Sequence, residues 1–261
     1  MVKIGIIGGS GLDNPGLLTE YKEVSVKTPY GSPSSKLVCG KINNVDVVIL
    51  SRHGKDHTIM PTNVNSQANI FALKKLGCTH VIATTACGSL NKKIKPGTLV
   101  LPNQFIDRTT KRKQTFFEKG KVCHISMEEP FCKALRLLIG QTIKELKLNY
   151  QTDKTVVTIE GPRFSSRAES LMNQKFGGDI VNMSTVPEVV LAREAGLCYQ
   201  AIAMVTDYDC FMEHKENVSW EQISKIMSKN ADNVKNILVN VINKINYDHC
   251  ICRDSLKSAL V

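Results

Sequence analysis

The chain has 261 residues, of which 42% are hydrophobic and 22% are charged, and this balance excludes a largely disordered protein. A chain of this length buries enough surface to fold without a disulfide or a metal. No apolar run approaches the roughly 18 residues that a membrane-spanning helix needs, and residues 2–9 lack the features of a signal peptide. We therefore expect a cytoplasmic protein with no membrane partner, the nucleus being a second compatible compartment.

The formal net charge of +10 raises the question of nucleic acid binding. The basic residues are dispersed, apart from one dense run at residues 111–113, and no basic stripe is interleaved with aromatic residues. No segment has the pattern of a helix-turn-helix or of an RNA-binding module. We interpret the charge as a solvated basic surface that attracts small anions and expect no nucleic acid partner, although charge alone leaves that alternative open.

The nine cysteines are scattered singly, mostly inside apolar segments. An odd count without regular spacing is typical of reduced, buried thiols rather than of a disulfide framework. Cys250 and Cys252 are the exception, since only one residue separates them. This spacing is poor for zinc without a second pair, so we expect no metal site. A redox-active or strained disulfide between these two residues stays open.

The hydrophobic pattern predicts strands that alternate with helices. Predicted strands cover residues 2–7, 45–50, 81–86, 98–101, 105–106, 155–159, 179–183 and 199–205. Predicted helices cover residues 65–76, 131–146, 168–176, 186–195 and 219–245. This alternation is typical of an α/β sheet covered on both faces. Because no repeat, linker or shift in composition marks a boundary, we predict one domain over residues 1–261, with a variable tail from about residue 246.

Four of the apolar runs are followed by small, hydroxylic or charged residues, at positions 8–11, 52–53, 85–88 and 207–209. Ligands of open α/β sheets bind beyond the carboxyl ends of the strands, so we predict one site built from these four segments. The first segment lacks the spacing of a dinucleotide-binding turn. It is either an anion-binding turn that offers backbone N–H groups and the Ser10 hydroxyl, or a turn without a ligand.

The other segments carry charged side chains with more than one interpretation. Arg52 offers a planar fork of donors that suits phosphate, and His53 adds a further donor, although such pairs are common on surfaces. Asp207 and Asp209 lie two residues apart, which places both on one face if the strand continues. These carboxylates can act as acid or base, bind a metal or cap the next helix, and the local pattern taken by itself favours the cap.

Eight segments together carry a resemblance to a known family. They are GGSGL at 8–12, RHG at 52–54, HTIMP at 57–61, TTACGSL at 84–90, QFIDRTT at 104–110, TIEGPRFSSRAES at 158–170, NMSTVPE at 182–188 and TDYDC at 206–210. In this order they resemble the S-methyl-5′-thioadenosine phosphorylases, a branch of the trimeric purine nucleoside phosphorylases. The resemblance covers residues 2–230 and fades after residue 245. It implies a single nucleoside phosphorylase-like α/β domain with a central mixed β-sheet flanked by helices.

The resemblance also implies roles for individual residues. The phosphate site is expected to consist of Ser10, Arg52, His53, Thr85, Ala86 and Ser184. The catalytic residues are expected to be Asp207 and Asp209, and the substrate contacts to be Phe164, Ser165, Met183, His124, Val218, Trp220 and Ile223. In this assignment Ser165 shares the purine pocket with the two carboxylates, Phe164 packs on the nucleoside and Met183 lies under the ribose.

The 5′ pocket is the part where this chain departs from the family pattern. The resemblance implies that His124 closes this pocket from a neighbouring subunit, and that Val218, Trp220 and Ile223 line it. Trp220 is bulkier than the small aliphatic residue expected there. The chain also ends early, where longer relatives supply a further residue to the adjacent subunit. Both features leave the size of the 5′ pocket open.

The implied reaction is the reversible phosphorolysis of S-methyl-5′-thioadenosine to adenine and 5-methylthioribose 1-phosphate by a homotrimer with shared active sites. Inorganic phosphate is the co-substrate, with no cofactor and no metal. A protonated Asp207 donates to purine N7 as general acid, and Asp209 accepts from the amino group of adenine. The alternative is a related phosphorylase of methylthioinosine, inosine or guanosine. Asp207 argues against that alternative, because enzymes for 6-oxopurines usually carry asparagine there.

Overall fold

The computed structural model describes residues 2–8, 17–212, 220–246, 250–257 and 259–261, and it includes no side-chain description of residues 220, 222 and 223. The strands in these residues are β1 (Lys3–Gly8), β2 (Thr19–Val24), β3 (Leu37–Ile42), β4 (Val45–Ser51), β5 (His80–Ser89), β6 (Leu99–Arg108), β7 (Tyr150–Ile159), β8 (Ile180–Asn182) and β9 (Cys198–Tyr208). The helices are α1 (Ser66–Lys75), α2 (Lys133–Glu145), α3 (Arg167–Lys175), α4 (Thr185–Glu194) and α5 (Trp220–Val241).

The strands form one mixed sheet in the order β2-β3-β4-β1-β5-β8-β7-β6-β9. Strand β1 runs parallel to both β4 and β5, and β5 runs parallel to β9. Strand β9 also pairs with β6, which closes β5, β8, β7, β6 and β9 into a ring. The carboxyl ends of β1, β4, β5 and β9 therefore lie at the same edge of the sheet, where the sequence predicts a site.

Helices cover both faces of this sheet. Along β1, Ile7 joins one core cluster whereas Ile4 and Ile6 join the other, as the period of two in a strand requires. The first cluster includes apolar side chains of α1 and α4, and the second includes those of α2 and α5. The predicted single-domain α/β fold with a mixed sheet and flanking helices is thus confirmed. In the described residues no helix is both long and apolar enough to cross a bilayer.

Several element boundaries differ from those predicted. The strands predicted at residues 98–101 and 105–106 are one strand, β6, which begins at Leu99, and the strand predicted to end at residue 205 continues as β9 to Tyr208. The prediction also missed β2 and β3. Strand β2 has the sequence TEYKEV and is almost entirely exposed, so it carries no apolar alternation. The last predicted helix is α5 followed by a short 3₁₀ turn at Ile242–Lys244.

Candidate functional site

A cavity of about 310 Å³ lies beyond the carboxyl ends of β5 and β9. Three of the four predicted segments line it, with Arg52 and His53 after β4, residues 85–88 in β5, and Asp207 and Asp209 at the end of β9. The fourth segment contributes the carbonyl of Gly8, which accepts a hydrogen bond from the Arg52 backbone N–H at 3.0 Å. Ser10 lies outside the described residues.

The guanidinium of Arg52 is held rigidly at one end of the cavity. Its Nε and Nη2 donate to the two carboxylate oxygens of Glu188 at 2.5 and 3.0 Å, and Nη1 donates to the Thr84 carbonyl at 2.8 Å. The Tyr199 hydroxyl donates to the same Glu188 carboxylate at 3.0 Å. Arg52 and Glu188 are 3% and 0% exposed. These contacts engage three of the five guanidinium N–H groups, so two N–H groups make no hydrogen bond to the described residues.

Hydroxyl groups surround this guanidinium. The Oγ atoms of Thr85 and Ser184 lie 2.8 Å apart. Asn182 Nδ2 donates to Thr85 Oγ1 at 3.2 Å and to Thr185 Oγ1 at 2.7 Å, while its Oδ1 accepts from Thr158 at 3.0 Å. Ser184 is the residue before α4, and its hydroxyl makes no capping bond within the described residues. The protein thus places two neighbouring hydroxyls, one from β5 and one from the residue before α4, on the wall of the cavity.

His53 completes this part of the cavity. Its Nδ1 lies 2.8 Å from the Ile59 carbonyl, and its ring stacks on His57 with a centroid separation of 4.4 Å. Burial lowers the pKa of His53, so the neutral ring with a proton on Nδ1 is favoured and Nε2 remains for a ligand. We name Arg52, His53, Thr85 and Ser184 the cationic end of the cavity. Ala86, the remaining predicted member, lines the cavity from β5.

The opposite end is formed by Asp207, Asp209 and Ser165, which we name the carboxylate end. Thr206 Oγ1 donates to Asp207 Oδ1 at 2.7 Å, and the Asp209 backbone N–H donates to the Ser89 carbonyl at 2.8 Å. Within the described part of the chain, Asp209 Oδ2 and Ser165 Oγ are buried without a hydrogen-bond partner. Because buried polar atoms in native proteins are normally satisfied, these two are the candidates for contact with a ligand.

Apolar side chains connect the two ends. Phe164 and Met183 line the cavity as predicted, and Phe164 is 82% exposed at its rim. The sequence analysis did not single out Met204 and Met227, which also line it. Met227 lies four residues after Ile223 on α5, and residues four apart on a helix share one face. The predicted contact at Ile223 could therefore have indicated Met227 as well.

The remaining predicted contacts do not belong to the described cavity. His124 does not line it and is exposed, and its backbone N–H donates to the Ala259 carbonyl at 2.8 Å. Val218 lies outside the described residues, as do the side chains of Trp220 and Ile223.

One expectation about the basic run at residues 111–113 is wrong. Arg112 is not part of a solvated surface, because its side chain is only 5% exposed and pairs with Glu160 at 3.1 Å. It also donates to the carbonyls of Met183 and Val186 at 2.7 and 2.8 Å. Burial raises the pKa of Glu160, but hydrogen bonds from the Thr110 N–H and from Arg112 outweigh it and lower that pKa to about 2. Arg112 thus holds together two loops that border the cavity.

Comparison with known proteins shows the family to which the chain belongs. Residues 3–243 match the sequence profile of a family described as Phosphorylase superfamily. S-methyl-5′-thioadenosine phosphorylase of Danio rerio is 58% identical over 94% of this chain and 89% of its own length. The Drosophila melanogaster protein of the same name is 50% identical, with coverages of 99% and 95%. The structure of methylthioadenosine phosphorylase from Schistosoma mansoni in complex with adenine superposes with a TM-score of 0.93, at 40% identity over 99% of both chains. The chain belongs to the phosphorylase superfamily.

Proposed function

We propose that this chain catalyses the reversible phosphorolysis of S-methyl-5′-thioadenosine to adenine and 5-methylthioribose 1-phosphate. One observation carries the proposal: a single cavity joins the clamped guanidinium of Arg52 to an Asp209 carboxylate oxygen that has no hydrogen-bond partner among the described residues. The first group is suited to an anionic nucleophile and the second to a hydrogen-bond donor on the base. The named relatives, at 50 and 58% identity, support the same activity.

The cationic end is proposed to bind inorganic phosphate, the co-substrate. The two unengaged N–H groups of Arg52, the hydroxyls of Thr85 and Ser184 and the nearby His53 offer several donors to one tetrahedral anion. A neutral His53 can accept the proton of a phosphate hydroxyl through Nε2. Ser10 and the backbone of Ala86 are assigned to the same anion from the family resemblance. The proposed reaction takes no cofactor.

The carboxylate end is proposed to bind the purine. With the base there and phosphate at the cationic end, the ribose lies between them against Met183, and Phe164 covers the nucleoside from the rim. The buried Asp209 Oδ2 and Ser165 Oγ gain partners from the edge of the base. A carboxylate acceptor selects the amino group of adenine, because a 6-oxopurine has no donor at that position and leaves the carboxylate unpaired.

Bond cleavage moves charge in opposite directions along this axis. The electron pair of the bond between C1′ and N9 leaves with the purine, and a phosphate oxygen forms the new bond to C1′. A protonated Asp207 donates its proton to N7, which neutralises the departing base. The phosphate dianion faces the positive charge that develops on the ribose.

Assembly is the second part of the proposal: we infer a homotrimer in which His124 serves the 5′ pocket of a neighbouring subunit. His124 is exposed outside its own cavity, and the flanking Val122 and Val261 are 54% and 85% exposed. An exposed apolar patch beside a polar side chain is typical of a subunit interface, and closed homo-oligomers complete shared sites in this way.

A product assay tests the reaction. Methylthioadenosine, adenosine, methylthioinosine and inosine are compared with and without phosphate. We expect release of adenine from methylthioadenosine only with phosphate, and little turnover of the 6-oxopurine nucleosides. Release of base without phosphate indicates a hydrolase and contradicts the proposal, as does a preference for inosine.

Subunit complementation tests the shared site separately. His124→Ala and Asp207→Asn are each expected to be weakly active as pure trimers. Mixed trimers formed by co-expression recover activity if Asp207 and His124 of one site come from different subunits, since about a quarter of the sites then carry both native residues. Absence of recovery, or a monomer in light scattering with full activity, contradicts the shared site.

A further inference from the structure

Four cysteines from three distant parts of the sequence meet at the amino end of β9, whereas the cavity lies beyond its carboxyl end. Cys132 is the residue before α2, and Cys198 begins β9. Cys252 lies in the 3₁₀ turn Ile251–Asp254, and Cys250 is the residue before that turn. All four Sγ atoms lie within 4.8 Å of one another, and those of Cys132 and Cys250 are 3.5 Å apart. Three of the four cysteines are buried.

The distances between the Sγ atoms are closer to those around a shared metal ion than to those of disulfide bonds. With Zn–S bonds of about 2.3 Å, the sulfurs of a regular tetrahedron lie about 3.8 Å apart. A disulfide needs a sulfur separation of about 2.05 Å. None of the nine cysteines forms a disulfide in the structure.

Two hydrogen-bond donors contact sulfur atoms of the cluster. The Leu135 N–H, at the amino end of α2, donates to Cys132 Sγ at 3.5 Å, and Arg193 Nη1 donates to Cys252 Sγ at 3.4 Å. A helix amino terminus and a guanidinium both stabilise negative charge on sulfur.

We propose that Cys132, Cys198, Cys250 and Cys252 bind one Zn²⁺ ion as a structural tetrathiolate site. Binding releases the four thiol protons, and the Arg193 guanidinium offsets part of the remaining negative charge. Four protein ligands leave no open coordination position, so the ion takes no part in phosphorolysis. The short spacing of Cys250 and Cys252 argues against zinc only without a second pair, and the fold supplies that pair from α2 and β9.

Such a site fastens the C-terminal tail to the sheet. Beyond Cys252, the Ser255 hydroxyl donates to the Arg193 carbonyl at 2.6 Å. Further along, Val261 and Val122 exchange backbone hydrogen bonds of 3.0 and 3.4 Å, beside the bond from His124 to Ala259. The zinc site thus anchors the segment that holds the backbone of His124.

Elemental analysis of the full-length protein, purified under reducing conditions from zinc-supplemented cells, tests the site. We expect about one zinc ion per chain in the native protein. Cys250→Ser should retain less than about a tenth of that amount, because a tetrathiolate that loses one ligand binds zinc far more weakly. Cys39→Ser is the matched control, since Cys39 lies in β3 outside the cluster, and it should keep the full amount.

Two further measurements keep the test independent of the folding of a variant. Cobalt(II) added to the chelator-treated native protein should give the intense sulfur-to-metal charge transfer and visible bands of a tetrahedral thiolate complex, and excess zinc should abolish them. Intact mass after alkylation without prior reduction counts disulfides, since each bond keeps two cysteines from gaining an alkyl group. The proposal is overturned by zinc content that is negligible or equal in Cys250→Ser and Cys39→Ser, by absence of the cobalt bands, or by disulfides within the cluster.

Discussion

The two ends of the cavity differ in how their polar groups are satisfied before a ligand arrives. At the cationic end, Arg52 is fixed by Glu188 and the Thr84 carbonyl, and Thr85 is fixed by Asn182. At the carboxylate end, Asp209 Oδ2 and Ser165 Oγ are buried without a hydrogen-bond partner in the described residues. Among the described residues the protein thus holds Arg52 and Thr85 in place, whereas Asp209 Oδ2 and Ser165 Oγ are left for a ligand to satisfy.

This difference separates stability from recognition. A buried ion pair loses stability when one partner is removed, because the other charge is left unpaired. A buried polar atom without a partner already costs stability, so its removal lowers function without weakening the fold. Substitution of Arg52 is therefore expected to damage both fold and catalysis, whereas substitution of Asp209 or Ser165 should change activity and preference alone.

The largest expected effect is that of Arg52→Ala, which leaves the fully buried Glu188 carboxylate without its cation. We expect the free energy of unfolding to fall by about 3–5 kcal/mol, measured by urea denaturation. Arg163→Ala is the matched control, because Arg163 forms a two-bond pair with Glu169 on the surface. That variant should lose far less stability, because an exposed ion pair is screened by solvent. Equal losses in the two variants contradict the assignment of a stabilising clamp.

The catalytic part of the Arg52 assignment is measured on Arg52→Lys, which keeps a positive charge but cannot reproduce the guanidinium fork. We expect the KM for phosphate to rise much more than the KM for the nucleoside. If both constants rise equally, Arg52 does not bind the nucleophile.

The next largest effect is expected at Asp207. Asparagine preserves the size of the side chain but cannot give up a proton, so Asp207→Asn should lose about 10²-fold or more in turnover of methylthioadenosine. The remaining activity should shift towards 6-oxopurine nucleosides, to which the asparagine NH₂ donates. Turnover of methylthioadenosine and methylthioinosine is compared on protein shown to be folded. An unchanged ratio with near-normal turnover identifies Asp207 as a structural residue.

The sequence predicts residues that line the cavity better than residues that only hold the lining residues in place. Arg52, His53, Thr85 and Asp207 follow apolar runs directly, and parallel strands bring such positions together, so the pattern alone places them at one edge. The supporting partners carry no such signal. Glu188 lies 136 residues from Arg52 and inside a helix, where its charge resembles any solvent-facing residue until the fold buries it.

The fold shows the same limit. Strands β1 and β5 are recognised because burial on both faces makes them continuously apolar, whereas the exposed β2 offers no pattern. Arg112 was misjudged for a related reason, because local sequence cannot tell a buried guanidinium from a solvated one. The cysteine cluster depends on contacts as distant as the 118 residues between Cys132 and Cys250, which no spacing rule detects.

A smaller effect is expected from Asp209→Ala, which is the direct counterpart of Arg52→Ala at the carboxylate end. Because Asp209 Oδ2 has no partner in the described residues, we expect the free energy of unfolding to stay equal or to rise. The ratio of kcat/KM for methylthioadenosine over methylthioinosine should fall by about 10-fold or more, as one buried hydrogen bond to the amino group is lost. A clear loss of stability with an unchanged ratio assigns the side chain to the fold instead.

The smallest effect is expected from a change at Glu160. This residue pairs with Arg112, which also donates to the Met183 carbonyl beside the cavity. Burial raises the pKa of Glu160 but hydrogen bonds from Thr110 and Arg112 lower it from an ordinary 4.5 to about 2 in the folded state. A depressed pKa contributes stability that is present above the unfolded-state value and is lost as the pH falls towards about 2. Glu160→Gln should therefore be less stable than the native protein near neutral pH, and this difference should shrink on acidification.

Urea denaturation of both proteins at a series of acidic pH values measures that difference. Glu118→Gln provides the control, because Glu118 pairs with Lys113 on the surface, where an ion pair contributes little. A difference between Glu160→Gln and the native protein that stays constant over the acid range means that Glu160 acts through packing and not through its charge. A difference that shrinks, with preserved base preference at neutral pH, means that the ion pair supports the cavity walls without choosing the ligand. In that case the pair of Arg112 and Glu160 contributes to the stability of the loops around the cavity, and the preference for a base is set by other residues.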